Sequence, residues 1–177
     1  MPRFFKRSGL LTLTAVLSTA LATLAVLAVG AFLVAVSGNV EVAADGRTNG
    51  LVEWFLETAR RRAVERQVAG VEVPALAGPA RRRRGERLYR QHCAQCHGLV
   101  GEPRTAAADG LHPTPPDLSE GLPLHDAAEA WWITTHGIRM TGMPGFGERL
   151  SEEEIWDVVA WLTRVATDGT RPEPAQE

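Results

Sequence analysis

A chain of 177 residues has room for one modest domain plus extra segments, so a large multidomain assembly is excluded on length. Its formal net charge of −2 hides an asymmetry: residues 1–8 carry +3, residues 39–84 carry nine Arg against six acids, residues 85–168 carry six Arg against thirteen acids, and the tail adds −1. The two cysteines stand together, without the further Cys or His ligands at short spacing that a zinc site requires.

Residues 1–9 form a basic segment with Arg3, Lys6 and Arg7, and residues 10–36 form an uncharged stretch of Leu, Ala and Val. As a helix that stretch is roughly 40 Å long, more than the ~30 Å hydrocarbon core of a bilayer requires. Cations precede it and none follows until Arg47, so the positive-inside rule leaves the N-terminus in the cytoplasm and carries everything after Ser37 across the membrane. A cleavable signal peptide is the competing reading, with Val42-Ala43-Ala44 as its cleavage site. The apolar region of such a peptide usually runs about 7–15 residues, which favours a retained transmembrane anchor. Both readings export the rest of the chain.

Residues 37–80 read as a connector. Ser37 to Asn49 is polar and irregular, and Gly50 to Ala69 has helical periodicity, with Leu51, Val52, Phe55, Leu56, Ala59 and Ala63 on one face. Arg60, Arg61, Arg62 and Arg66 suit the helix's C-terminal end. Trp54 and Phe55 beside arginines are compatible with a helix lying on a membrane surface. The small alanines favour packing of the apolar face on the following domain or on a partner subunit. Pro74 and Pro79 are expected to keep the next stretch extended. The run Arg81–Arg84 has the composition of a basic tract, but in an exported protein anionic headgroups or a solvated helix start fit it better than nucleic acid.

Residues 81–168 carry the chemistry. A helix from Arg81 leads into Cys93-Ala94-Gln95-Cys96-His97, the C-x-x-C-H pattern to which a c-type haem is covalently attached. Two thiols at this spacing add to the two vinyl groups of one haem, and the adjacent His lies where its imidazole can bind the iron. A thioredoxin-like redox pair would want a βαβ context, which the sequence lacks. Gly85 inside the preceding helix costs roughly 1 kcal/mol, so a close helix approach is expected there. Gly98 to Pro123 is too rich in Gly and Pro for regular elements. Asp126-Ala127-Ala128-Glu129 has the form of a capping box opening a helix over 127–136 that stops at Gly137. Gly142 to Gly147 is a loop, and Ser151-Glu152-Glu153-Glu154 opens a last helix that buries Ile155, Val158, Val159 and Leu162. Residues 169–177 read as a flexible tail.

The order helix, haem motif, irregular loop, helix, Met loop, helix resembles a class I cytochrome c over residues 81–168. The matching residues are Cys93, Cys96 and His97, the cluster Pro113 to Leu118, the run His136-Gly137-Ile138-Arg139-Met140-Thr141-Gly142-Met143-Pro144, and Ile155 to Leu162. The Thr-Gly-Met-Pro segment is similar to small monohaem cytochromes of bacterial terminal oxidases and periplasmic dehydrogenases. The connector's similarity to membrane-anchored relatives is weaker. The resemblance implies an all-α fold around one covalent haem c, preceded by the transmembrane helix and the helical connector.

It further implies His97 and Met143 as the axial iron ligands, with Met140 as a rival that reads better as apolar filler. A bis-His site through His112, His125 or His136 is the less favoured alternative. In the family a backbone carbonyl of the proline-rich loop, here of Pro115 or Pro116, accepts the proximal imidazole N–H. Trp132 and Arg139 are candidates to bind the propionates, against a core-packing role for Trp131 and Trp132.

The expected function is single-electron transfer, without catalysis or a small-molecule substrate, on the outer, periplasmic face of a bacterial inner membrane. The partners are redox proteins in or at the membrane, and nucleic acid is not among them. The alternatives are a haem c subunit of a larger oxidase or of an alcohol or aldehyde dehydrogenase complex, and a ligand-sensing haem with a displaceable Met.

Overall fold

The computed structural model describes residues 3–40, 42–43, 49–99, 102, 105–118, 122 and 126–168, with side chains from Thr12 to Ala166. The side chains of Arg3, Lys6 and Arg7, Ala44 of the cleavage sequence, His125 and the tail 169–177 lie outside the described residues. Among the described residues every long element is helical and there is no strand: α1 (Arg3–Val36), α2 (Gly50–Gln67), α3 (Pro79–His92), α4 (Ala94–His97), α5 (Ala106–Asp109), α6 (Ala127–His136) and α7 (Glu152–Asp168). The chain divides into two compact units, Met1–Ala43 and Ala44–Glu177.

The first unit is α1, whose Thr12–Val36 stretch is long and apolar enough to cross a membrane. Its hydroxyls are folded back on the helix: Ser18 and Thr19 donate to the carbonyl of Ala15, and Thr23 to that of Thr19, each at 2.9 Å. Polar side chains satisfied this way are cheap to place among hydrocarbon.

The second unit is built on the crossing of α3 and α7. Here Gly85 meets backbone: a β-carbon on it would stand 1.9 Å from the Asp157 carbonyl oxygen and 3.0 Å from the Trp161 β-carbon. The expected close approach is therefore real. One turn on, the Tyr89 ring lies 4.5 Å from that of Trp161, in a cluster with Val158 and Leu162. Residues 155–163 of α7 are all buried. Each large apolar side chain so enclosed contributes about 1.5–3 kcal/mol. On its other side α7 receives α6, with Trp131 stacked on Trp156 at 5.3 Å and 9°. Val71 and Leu76, from the extended stretch between α2 and α3, cover Ala127, Trp156 and Val159.

The helix ends follow local chemistry. At the start of α7, Ser151 donates from its backbone N–H (2.8 Å) and its hydroxyl (2.9 Å) to Glu154 Oε2, and Glu154 N–H returns to Ser151 Oγ at 3.3 Å. The same two donors hold the Glu154 carboxyl below its usual range. Asp126 makes no such capping hydrogen bond at α6, although the helix spans the expected residues and stops at Gly137 with φ 69°. Pro79 does not keep the chain extended but stands in the first turn of α3, where its fixed φ fits and a missing N–H costs nothing. A helical turn, α5, also forms inside the stretch expected to be irregular, with Thr105 Oγ1 accepting from Ala108 N–H at 3.4 Å.

Two expectations for the basic and apolar runs change. Arg81 and Arg84 are not a merely solvated helix start or a headgroup site, because both are committed to an acid of α7. Arg84 donates to Asp157 from Nε at 2.6 Å and from Nη2 at 3.3 Å, and Arg81 Nη1 stands 3.4 Å from the same carboxylate. Asp157, an acid only 1% exposed, went unrecognised in the sequence because it sits among apolar residues of α7. In α2 the apolar face does not pack on its own domain. The helix meets α6 and buries Val64, whereas Leu51, Val52, Phe55 and Leu56 are exposed. Phe55 and Val64 are nine residues apart, which at ~100° per residue puts them on opposite sides of the helix.

Candidate functional site

The C-x-x-C-H residues sit where α3 ends. Cys93 caps α3, its N–H bonded to Tyr89 O at 2.8 Å, and then opens the single turn of α4 that contains Cys96 and His97. Gly98, at φ 74°, ends that turn, and its carbonyl accepts the buried Tyr89 hydroxyl at 2.8 Å. Desolvation pushes the Tyr89 phenol up, so it stays a donor. Thr105 Oγ1 donates to the Gln95 carbonyl, tying the next turn to the motif. Both thiols are free and half-buried, and burial, with the nearby Cys96, pushes the Cys93 thiol up to about 12.

His97 Nδ1 lies 2.9 Å from the carbonyl oxygen of Pro116. A carbonyl can only accept, so Nδ1 carries the proton and Nε2 is left with its lone pair. Proline rigidity on the accepting loop holds the ring in that tautomer and orientation. Pro115, the other expected acceptor, is half-buried beside it.

The Met143 loop is fastened to the end of α6. Met143 O accepts from Ile138 N–H at 3.1 Å, Met143 N–H donates to Thr141 Oγ1 at 3.1 Å, and Thr141 Oγ1 donates to Ile138 O at 2.8 Å. Beyond the methionine, Phe146 and Gly147 N–H bond to the carbonyls of Thr134 and Thr135 at 2.9 and 3.0 Å. Gly137 and Gly145 make this possible. A β-carbon on Gly137 would meet Gly145 N at 2.6 Å and Met143 O at 2.7 Å, and one on Gly145 would meet His136 backbone at 2.9 Å. Met143 itself is half-buried against Phe146, Leu150 and Ile155. Met140 is 91% exposed at φ 63°, so it fills no core and its expected packing role is withdrawn.

The Cys93 and Met143 segments are joined through α3. Leu88 packs both on the Tyr89 cluster, which includes Cys93, and on the Phe146 cluster, which includes Met143. Trp132 is half-buried with its ring 4.8 Å from that of His136. Arg139, His136 and His112 are exposed. Trp131, packed beside Met143's cluster, holds a buried indole N–H with no acceptor among the described residues.

These groups fit a haem: two free thiols, an imidazole with a fixed tautomer, a half-buried thioether on a braced loop, and a buried donor that a carboxylate could satisfy. Sequence reasoning missed Trp131 Nε1 and the bracing by Thr141. The signal for the second was present in Thr-Gly-Met-Pro, since a Thr two residues ahead of Met143 can bond to that residue's backbone.

Comparison with known proteins agrees. A family model described as cytochrome c oxidase, cbb3-type, subunit III matches residues 80–162. Cytochrome c6 of Aphanizomenon flos-aquae is 32% identical over 89 residues, 48% of this chain and 91% of the relative. Dihydro-heme d1 dehydrogenase of Pseudomonas aeruginosa is 37% identical over 78 residues, covering 44% of this chain but only 14% of that enzyme. Among solved structures, a reducing HAO-like protein complex of Kuenenia stuttgartiensis aligns with a TM-score of 0.45 and 22% identity, over 55% of this chain and 50% of the other.

Proposed function

As the chain belongs to the c-type cytochromes and carries haem c, we propose that it is a one-electron carrier anchored to the outer face of a bacterial inner membrane. Cys93 and Cys96 fit the attachment motif and form the two thioether links. The observation that carries the reading is the 2.9 Å contact between His97 Nδ1 and Pro116 O, which leaves Nε2 as the nitrogen that would bind an iron. Met143 would hold the iron together with His97. Haem c supplies a one-electron couple when bound there. A His and a Met holding the iron together would raise its reduction potential and leave no position open for a substrate. The buried Trp131 indole supports a donor role toward a propionate, alongside Trp132 and Arg139.

The uncharged span of α1 supports the anchor, and Arg3, Lys6 and Arg7 ahead of it support a cytoplasmic N-terminus. A tether of this kind keeps the carrier at high effective concentration near membrane-bound donors and acceptors. The excess of acids over residues 85–168 suits redox partners with a basic docking patch.

Met143→Ala tests the ligand assignment. The variant is expected to lose the sulfur-to-iron charge-transfer band and to fall in reduction potential, whereas an unchanged spectrum would remove Met143 from the site. A second reading, a haem c subunit of a larger membrane oxidoreductase, is favoured by the oxidase-subunit description of the matching family and by the relative in which this region is a small part of a dehydrogenase. Extraction in mild detergent followed by sizing separates the two, because a carrier elutes as a monomer and a subunit with its complex.

A further inference from the structure

We infer that the outward face of α2 lies on the lipid surface of the same membrane that holds α1, as a second, interfacial contact. The inference rests on the anchored reading above. Leu51, Val52, Phe55 and Leu56 are between 49% and 71% exposed although they are large apolar side chains. They are exposed because α2 docks its opposite side, around Val64, toward α6.

Three observations point to lipid as the occupant. The first is reach. Only residues 37–49 separate the apolar span from Gly50, and a segment of that length extends at most ~45 Å, at ~3.5 Å per residue. Gly50 therefore cannot leave the neighbourhood of the bilayer.

The second is the distribution of charge. Placed at ~100° per residue, Leu51, Val52, Phe55, Leu56, Ala59 and Ala63 share an arc that contains no acid. Arg62 and Arg66 fall on that same arc toward the C-terminal end, where they are placed to meet lipid phosphates. The acids Glu53 and Glu57 occupy the other side and Glu65 flanks the arc ~40° beyond Leu51; two of the three are ion-paired within the helix, Glu57 to Arg60 and Glu65 to Arg62. The third is the exposed Trp54, which lies ~60° beyond the arc on its Leu51 side and whose apolar body and polar N–H suit the headgroup boundary. A bound α2 would restrain the haem domain on its tether and limit which side it offers to partners.

The test uses the full chain with haem attached, reconstituted in vesicles of phosphatidylethanolamine and phosphatidylglycerol. Thioether formation consumes both native thiols, so Val52→Cys, Phe55→Cys, Glu53→Cys and Glu57→Cys each take a single nitroxide label. At positions 52 and 55 collisions with oxygen should exceed those with a water-soluble nickel chelate, and at 53 and 57 the order should reverse. Four labels equally open to the nickel chelate would overturn the inference, as would labels at 52 and 55 shielded from both reagents, the mark of a covering protein or second copy. Alkaline extraction of the same vesicles keeps the two readings apart. Release of the chain removes the anchor and this inference with it, whereas retention with four aqueous labels removes the interfacial helix alone.

Discussion

Arg60 and Arg62 of α2 answer to acids on their own helix, as Arg90 of α3 does to Glu86, whereas Arg81 and Arg84 of α3 answer to an acid on another. In α2, Arg60 pairs with Glu57 and Arg62 with Glu65, all on a surface reached by water. In α3, Arg81 and Arg84 converge on Asp157 of α7, and Arg81 also reaches Glu153 at 3.6 Å. Arg84 is held more firmly in its charged form by the Asp157 hydrogen bond and charge. The two runs differ in what the rest of the helix does. Arg81, Arg84, Gly85 and Leu88 recur at three- and four-residue spacings, so the arginines share the face that Gly85 presses onto α7. A basic run therefore becomes structural when its helix face is buried, and stays a surface feature when it is not.

The largest effect on this contrast should come from Gly85→Ala. The added carbon would lie 1.9 Å from a backbone oxygen, which no rotamer change relieves, so α3 has to move off α7 and take both arginines with it. We expect a loss beyond the about 1–3 kcal/mol of ordinary overpacking. The check is chemical denaturation of the haem-loaded protein. A midpoint near wild type would mean that the crossing yields easily and that Gly85 does not set the geometry.

How much of this was legible in the sequence follows the range of each signal. The Ser151–Glu154 capping box, the stop at Gly137 and the Gly85 approach are encoded within a few residues and each stands in the structure, and of the two acceptors expected from the family pattern, Pro115 or Pro116, it is Pro116 that His97 meets. What was missed depends on which face meets which. Gly85 marks a close approach on α3, and three- and four-residue spacing back from it puts Arg81 and Arg84 on the same side. Nothing local announces that the partner acid is Asp157, seventy-three residues away. In α2, periodicity found the apolar face, but packing of that face on the following domain does not hold, because Val64 on the far side, not Phe55, meets the domain. The exposure of Met140 is likewise set by the way the loop around Met143 is bonded to α6, beyond the reach of composition.

Asp157→Ala should rank second. Breaking a buried ion pair from one side costs about 3–5 kcal/mol because a charge is left uncompensated. The lower part of that range applies here, since Arg84 is 45% exposed and can turn to water while Arg81, at 18%, cannot. Thermal unfolding at low and high salt measures it. A loss that vanished in high salt would show the pair to be screened like a surface bridge, and the distinction between the two arginine runs would fall.

Glu65→Gln is the matching change in α2 and should do the least. Its partner Arg62 is 71% exposed and returns to water when the acid is neutralised, so the expected loss is within about 0–1 kcal/mol. The change leaves the Arg62 charge in place and frees it from its intrahelical partner, so any attraction of α2 to anionic vesicles should hold or strengthen while stability barely moves. Unfolding of the Glu65→Gln and Asp157→Ala proteins side by side gives the ratio directly. A loss as large for Glu65 as for Asp157 would mean that the α2 pairs stabilise the domain in earnest, and burial would no longer be what separates the two helices.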